Sequence, residues 1–222
     1  MRFGHMLLAG SLVMMLANSA FGITPPNGLQ WDMNYEKSKA QVESKSEKGK
    51  TLEVKDQKIV KEGMLHGFTS AEIKGVKIND RKTKTALLFF DSVSQSLAGV
   101  YYMFSWDNEE DEKEVDAFSS KGKGRSKAWQ FQQDLAGILS AKYGAPTRDE
   151  TQGAYGREME SKVELETVWS DSTDGAAIGL VITRVKTNLG IGRLDEFQVH
   201  LMYQSPGLVT KLKSDIAESD DL

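Results

Sequence analysis

The sequence predicts an α+β fold in which an antiparallel sheet packs against one main amphipathic helix. Two regions, residues 52–105 and 163–203, contain short apolar runs with the alternation that is typical of strands. Between them, residues 126–143 carry apolar side chains at spacings of three and four, which indicates an amphipathic helix. Turn-forming residues separate the runs within each strand region, so we expect two antiparallel meanders in a single domain over residues 23–206.

Residues 1–22 have the organisation of a cleavable signal peptide. Arg2 supplies a positive charge, residues 6–16 are apolar and uncharged, and small residues follow them. An apolar stretch of this length is shorter than the roughly 20 residues that a bilayer-spanning helix needs. The small residues at 20 and 22 fit a cut before Ile23, which we favour, and those at 17 and 19 fit a cut before Ala20.

The composition of the mature chain argues against several classes of partner and chemistry. Removal of residues 1–22 takes away one charged side chain, Arg2, and leaves 27 basic against 32 acidic residues, a net charge of −5. Strong nucleic-acid binding needs a concentrated basic face, so we expect no nucleic-acid partner. The chain has no cysteine, which excludes disulfides, thiolate chemistry and lipid attachment through cysteine. No asparagine stands in an N-glycosylation sequon, which favours a bacterial protein that is periplasmic or secreted and not stably inserted in the membrane.

The secondary structure can be predicted element by element. Asn34 is expected to cap a short N-terminal helix that ends near residue 44, and the first meander uses the apolar runs at 52–54, 64–73, 85–90 and 97–105. The second meander uses residues 163–169, 176–186 and 194–203. Residues 207–222 are expected to form a C-terminal tail that frays, with at most a short helical turn.

The main helix has a defined end and one apolar stripe. Gly144 is expected to adopt the left-handed C-cap conformation, and Pro146 prevents continuation of the helix. The predicted buried stripe consists of Phe131, Leu135, Ile138, Leu139 and Tyr143.

Residues 107–127 are expected to form a charged loop that contains a binding site. An acidic run at 107–116 precedes a basic, glycine-containing run at 119–127. An EF-hand calcium loop does not fit, because its sixth and twelfth positions fall on Glu112 and Phe118, where glycine and glutamate are needed. Weak divalent binding by the carboxylates is the minor alternative to a solvated charge run. Exposed tryptophans often anchor partners, although burial in the core is the alternative for both tryptophans beside the loop. The candidate binding residues are Trp106, Asp107, Glu109, Glu110, Asp111 and Trp129.

The sequence predicts no catalytic, metal or cofactor site. His66 and His200 are the only histidines of the mature chain, and neither has a second histidine or cysteine at zinc-ligand spacing. His200 falls on the polar face of a strand and is expected to be a solvated or sheet-face histidine rather than a general base. Glu164 and Glu166 would lie about 7 Å apart on one strand face, within the range of an inverting glycosidase, but alternation on an exposed strand gives the same pattern.

One stretch of the sequence carries a resemblance. The helix end at 139–146 (LSAKYGAP), followed by Trp169 at the end of a strand and two further strands, resembles a pattern found in exported bacterial proteins of unknown function. Residues 29–44, residues 73–75 before an apolar strand, and residues 97–104 are similar to the same group. The resemblance implies a helix-and-sheet fold of the kind used by small periplasmic binding and inhibitor modules, and it supplies no catalytic residues. The acidic segment after Trp106 departs from the pattern.

Two functions follow as hypotheses. The favoured one is an exported, non-catalytic binding or inhibitory module of the bacterial envelope, which presents residues 107–127 or a sheet face to another envelope protein. The alternative is an envelope hydrolase that uses paired carboxylates on glycan or ester substrates. A deep pocket with two or more buried carboxylates would favour the hydrolase, and a flat sheet with an exposed aromatic patch would favour the module.

Overall fold

The computed structural model of the protein describes residues 22–45, 52–59, 67–107, 123–150, 154–155, 160–172, 174–188 and 193–212. The fold is α+β, as predicted. The helices are α1 (Tyr35–Ser44), α2 (Lys123–Tyr143) and α3 (residues 206–212). The strands are β1 (Glu53–Val54), β2 (Lys58–Ile59), β3 (Phe68–Lys74), β4 (Lys77–Ile78), β5 (Arg81–Lys82), β6 (Thr85–Asp91), β7 (Leu97–Asp107), β8 (Arg148–Glu150), β9 (Ala154–Tyr155), β10 (Glu160–Ser170), β11 (Ala177–Asn188) and β12 (Arg193–Gln204).

Within these residues, ten strands form one antiparallel sheet. Its main path is β1-β3-β6-β7-β12-β11-β10-β8, with β2 paired to β3 and β9 paired to β10, while β4 and β5 form a separate hairpin. Both predicted meanders are confirmed, the first along β1, β3, β6 and β7 and the second along β10, β11 and β12. The two meanders join where β7 pairs with β12, from Gly99 opposite Gln204 to Asp107 opposite Glu196.

The main core lies between one face of this sheet and the helix α2. On β7, Val100, Tyr102 and Phe104 are buried toward the helix, as the alternation of a strand requires. The partners from β12, β11 and α2 are Phe197, Val199, Leu201, Ile178, Leu180, Ile182, Ala128, Phe131, Leu135 and Leu139.

The predicted apolar stripe of α2 is wrong at Ile138, which is 54% exposed. Successive residues of an α-helix are about 100° apart, so a buried face that centres between Leu135 and Leu139 turns Ile138 toward its solvent edge. The polar Gln132 takes a place in that buried face, where its Nε2 donates a hydrogen bond to Thr167 Oγ1 of β10 at 3.1 Å. The helix also begins at Lys123, three residues earlier than predicted.

Both predicted helix caps are confirmed. Asn34 Oδ1 accepts a hydrogen bond from the Lys37 backbone N–H at 3.0 Å, so α1 begins at Tyr35 as expected. At the end of α2, Gly144 has a φ of +86° and donates its N–H to the Ser140 carbonyl at 2.9 Å. A side chain is strained in this left-handed conformation, which explains glycine at the position.

The start of the predicted C-terminal tail is packed against the sheet rather than frayed. Residues 206–212 form α3, in which Leu208 is buried. Leu208 packs with Phe68, Ala98 and Met202 in a second, smaller cluster. Because Met202 lies between the core residues Leu201 and Tyr203 on β12, this cluster lies on the opposite face of the sheet from α2.

Some predictions fall outside the described residues. They concern residues 1–21, His66, residues 108–122 of the charged loop and residues 213–222. Among the helices that the structure describes, none combines the length and the apolar character that a membrane-spanning helix needs.

Candidate functional site

An open groove of about 680 Å³ lies between the β4–β5 hairpin and the N-terminal half of α2. The end of β7 forms its floor through Trp106, and the helix adds Phe131. The full lining is Asn79, Asp80, Arg81, Lys82, Trp106, Lys127, Gln130, Phe131 and Asp134. Seven of these nine residues are polar or charged, and the two aromatic side chains beneath them, Trp106 and Phe131, are buried.

A two-residue turn builds the hairpin side of the groove. Asn79 and Asp80 both have positive φ, 48° and 60°, between the paired residues Ile78 and Arg81. A tight hairpin turn of this kind needs positive φ at both central residues, and asparagine and aspartate tolerate that conformation better than most residues. The turn therefore fixes the position of β5, the strand that consists of Arg81 and Lys82.

Arg81 is held against the floor by two interactions. Its Cζ lies 3.7 Å above the centre of the Trp106 ring, and its Nη2 donates a hydrogen bond to the Ser105 carbonyl at 2.5 Å. The Trp106 ring in turn packs against Phe131 with ring centres 5.3 Å apart, and Phe131 contacts Phe104 at 4.7 Å. Trp106 is only 5% exposed as a result. The guanidinium and the indole thus form one rigid unit at the bottom of the groove.

The lining of the groove carries charges of both signs. Arg81, Lys82 and Lys127 contribute three cations, and Asp80 and Asp134 contribute two carboxylates. On the helix side, Gln130 Nε2 donates to Asp134 Oδ1 at 2.9 Å, which orients that carboxylate. Serine, threonine, histidine and cysteine do not occur among the described residues that line the groove. The arrangement suits recognition of a polar or charged segment.

The structure places the predicted site residues in different surroundings. Trp106 lies at the floor of the groove, whereas Trp129 is partly buried against the main core and is not part of the lining. Asp107 is the last residue of β7, opposite Glu196 of β12, and its side chain falls outside the described residues. Glu109, Glu110 and Asp111 also fall outside them. Of the predicted set, Trp106 is therefore the residue that the structure assigns to the groove.

Sequence reasoning missed the hairpin that supplies Arg81 and Lys82. Its strands have two residues each, too short for an alternation pattern to show. A usable signal exists in the pair Asn79 and Asp80 between two lysine- and arginine-containing runs, since these residue types favour two-residue hairpin turns.

A second polar cluster lies on the sheet face opposite α2 and centres on His200. Tyr101 Oη is 2.6 Å from Nδ1 of His200, and Thr183 Oγ1 is 2.8 Å from its Nε2, so both ring nitrogens are hydrogen-bonded. Burial lowers the pKa of His200 to about 4, although the carboxylate of Glu196 acts in the opposite direction. Burial also raises the pKa of Tyr101 to about 12. Both groups are consequently neutral at pH 7, and of the two expected surroundings His200 has the sheet face rather than solvent.

Glu196 is the partly buried carboxylate beside this cluster. Burial alone would raise its pKa, but hydrogen bonds from Lys84 Nζ at 2.7 Å, Ser105 Oγ at 2.5 Å and Gln198 Nε2 at 3.0 Å have the larger effect, and the pKa is lowered. Glu196 therefore forms an ion pair with Lys84. Among the residues that the structure describes, no three histidine, cysteine, aspartate or glutamate side chains are grouped as metal ligands.

Comparison with known proteins gives no match: no family model, no curated protein and no solved structure is similar to this chain. The site is therefore assigned from its geometry.

Proposed function

We propose that this protein is an exported, non-catalytic binding module of the bacterial envelope that contacts another envelope protein through the groove above Trp106. The proposal depends on one observation, the Arg81 guanidinium stacked 3.7 Å above the Trp106 ring at the groove floor. Arginine and tryptophan are among the residues that contribute most of the binding energy in protein interfaces. Since stacking and the hydrogen bond to Ser105 already hold Arg81 in place, binding costs little additional side-chain entropy.

The charges around the groove support a protein partner. Lys82 and Lys127 are exposed at its rim, and Asp134 lies across from the hairpin on α2. The acidic run that begins at Asp107 follows Trp106 directly in the sequence. Charged groups at an interface increase the association rate and select among partners, so this region is suited to a transient, salt-sensitive encounter.

The hydrolase hypothesis gains less support from the described residues. Glu196, a partly buried carboxylate, accepts hydrogen bonds from Lys84, Ser105 and Gln198 and has no second carboxylate among these partners. Glu166 is half-buried on β10, and the side chain of Glu164 falls outside the described residues. A glycosidase of the predicted type needs two carboxyl groups flanking the scissile bond.

Export is part of the proposal and is supported by the sequence. The charge, apolar run and small residues of positions 1–22 have the order of a signal peptide, and the resemblance to exported bacterial proteins points to the same compartment. A cut before Ile23 keeps Ile23 in the product, where its side chain belongs to the main core.

Affinity capture tests the proposed function. The mature chain, residues 23–222, is immobilised and exposed to envelope extract, and the retained proteins are identified by mass spectrometry. We expect one stoichiometric protein that is released by high salt. An empty column under these conditions would count against the module and would favour a screen of glycan and ester substrates. Replacement of residues 107–112 by neutral residues tests the contribution of the acidic run, and unchanged capture would exclude it from the interface.

A further inference from the structure

We propose that cleavage before Ile23 creates an α-ammonium group that pairs with the carboxylates of Asp171 and Asp174, so that processing itself fastens the start of the mature chain to the β10–β11 turn. This inference depends on the proposed export, because it needs the signal peptide to be removed at that bond. It concerns the N-terminal end of the domain and is independent of the groove.

Both the side chain and the carbonyl group of Ile23 are held in place by contacts in the structure. Its side chain is 4% exposed and belongs to the main core. Its carbonyl accepts a hydrogen bond from the indole Nε1 of Trp31 at 3.1 Å. Because both the side chain and the carbonyl are held, the backbone nitrogen of Ile23 has a defined position as well. A new terminal amine at this residue would therefore not move freely in solvent.

Two carboxylates lie beside that position. A Cβ on Gly22 would be 3.1 Å from Asp174 Oδ2 and 3.4 Å from Asp171 Oδ2. The nitrogen of Ile23 is two bonds from the Cα of Gly22, so it lies within about 7 Å of both carboxylate oxygens in the uncut chain. Asp174 is exposed and Asp171 is half-buried, and both carboxylates border the space that Gly22 vacates when it is removed.

The turn that carries the two carboxylates is itself closed by hydrogen bonds. The Asp171 N–H donates to the Ala176 carbonyl at 2.8 Å, and the Gly175 N–H donates to the Asp171 carbonyl at 3.0 Å. Asp174 uses Oδ1 to accept the Ala176 N–H at 2.8 Å, which leaves Oδ2 on the side of Gly22. The Asp174 acceptor is thus in place before the chain is cut, and Asp171 lies in the same closed turn.

Cleavage changes the charge at this point. The uncut chain has a neutral peptide N–H at Ile23, whereas the product has an amine whose ordinary pKa is about 8. A nearby negative charge favours the protonated amine, so we expect the two carboxylates to raise the pKa of the α-amino group. The pairing stabilises only a chain that begins at Ile23. In a chain cut before Ala20, the charged α-amino group would lie three residues before Ile23.

The α-amino pKa provides the test. Chains that start at Ile23 and at Ala20 are produced by removal of a fusion tag that leaves no extra residue, their amines are dimethylated with ¹³C, and the terminal signal is followed by NMR against pH. We expect the α-amino pKa of the Ile23 chain to be higher by about 1 than that of the Ala20 chain. In the Ile23 chain, Asp171→Asn with Asp174→Asn should abolish this difference, since asparagine keeps the Oδ1 acceptor and removes the charge. An α-amino pKa that is the same with and without the substitutions would overturn the proposal.

Two further measurements make the result unambiguous. Asp174→Asn alone, at an exposed position, replaces the double variant if the latter does not fold, and it should remove at least half of the pKa difference. The intact mass of the exported protein should correspond to a start at Ile23, and a start at Ala20 would contradict the processing step. The titration uses chains that are made without export. A negative titration would therefore overturn this pairing but would not bear on the proposed binding through the groove, which the capture experiment tests.

Discussion

The Arg81 guanidinium lies 3.7 Å above the ring of Trp106, and this contact ties the β4–β5 hairpin to the centre of the large sheet. The hairpin is hydrogen-bonded as a sheet of its own, so side-chain contacts such as this one position it relative to β7. The same contact forms the floor of the groove. We therefore expect the stability of the hairpin and the binding of a partner in the groove to depend on the same pair of residues.

Replacement of Arg81 by alanine should destabilise the protein modestly and damage the groove. Loss of the stacking and of the hydrogen bond to Ser105 should lower the free energy of unfolding by about 1–2 kcal/mol, measured by urea denaturation. Arg81→Lys keeps the charge but not the planar stacking, and should recover less than half of the loss. Lys82→Ala at the neighbouring exposed position is the control, with an expected change within about 0.5 kcal/mol. Equal effects at the two positions would contradict the structural role of the stacked pair.

Two glycines of the α2 region should respond to alanine in opposite directions. Gly144 has a φ of +86°, so Gly144→Ala should lower the free energy of unfolding by about 1 kcal/mol. Gly137 is exposed within the helix and has no neighbouring atom within 4 Å of an added Cβ, so Gly137→Ala should raise that free energy by roughly 0.5–1 kcal/mol. Thermal denaturation of both variants checks the signs, and a stabilising Gly144→Ala would mean that α2 ends differently.

The orientation of α2 can be tested with two apolar residues on the same helix. Phe131 is buried against Phe104 and Trp106, and Phe131→Ala should cost about 3–5 kcal/mol of unfolding free energy. Ile138 is 54% exposed, and Ile138→Ala should change the unfolding free energy by no more than about 0.5 kcal/mol. Comparable losses at both positions would support the stripe predicted from the sequence instead of the observed face.

His200 should make the protein sensitive to mild acid. Burial lowers its pKa to about 4 in the folded protein, whereas the unfolded chain has the ordinary value of about 6.5. Between these two pH values the unfolded chain binds more protons, so the free energy of unfolding falls as the pH decreases from 6.5 to 4 and is independent of this residue above 6.5. The loss amounts to at most about 3 kcal/mol.

Urea denaturation between pH 4 and pH 8 measures this dependence. His200→Gln is expected to lower stability at pH 7, because two hydrogen bonds are weakened, and to remove most of the decrease between pH 6.5 and 4. Glu196, whose pKa is lowered in the folded protein, adds a separate loss as the pH falls below about 4.5, and that loss should persist in the variant. A pH profile that is unchanged by His200→Gln would show that this histidine is not the group responsible.

The predictable part of the fold is the part encoded by local periodicity and caps. The helix caps at Asn34 and Gly144 and the alternation within each strand depend on only a few neighbouring residues. The helices, the longer strands and the two meanders could therefore be predicted from the sequence. Pairing of β7 with β12 joins residues about one hundred positions apart, and no local pattern specifies which strand edges meet. The exposure of Ile138 does not follow from the sequence, because a 3.6-residue period fits a wide apolar arc and does not locate its centre.

The candidate site was predictable only in part for the same reason. Trp106 could be chosen from its residue type, but its position at the groove floor is shared with Arg81, which comes from a hairpin too short to show alternation. Packing of Leu208 on the second sheet face likewise needs the strand order, since the partners Phe68 and Ala98 are distant in sequence.

The central claim is that the groove is the binding surface, and two charge reversals on one hairpin test it most directly. Lys82 lines the groove, whereas Lys77, its partner across the hairpin, does not, and both are exposed. Affinity capture from envelope extract is carried out in parallel with the native mature chain, Lys82→Glu and Lys77→Glu. We predict that Lys82→Glu reduces the captured partner at least tenfold while Lys77→Glu retains it. Equal capture by both variants would contradict binding through the groove.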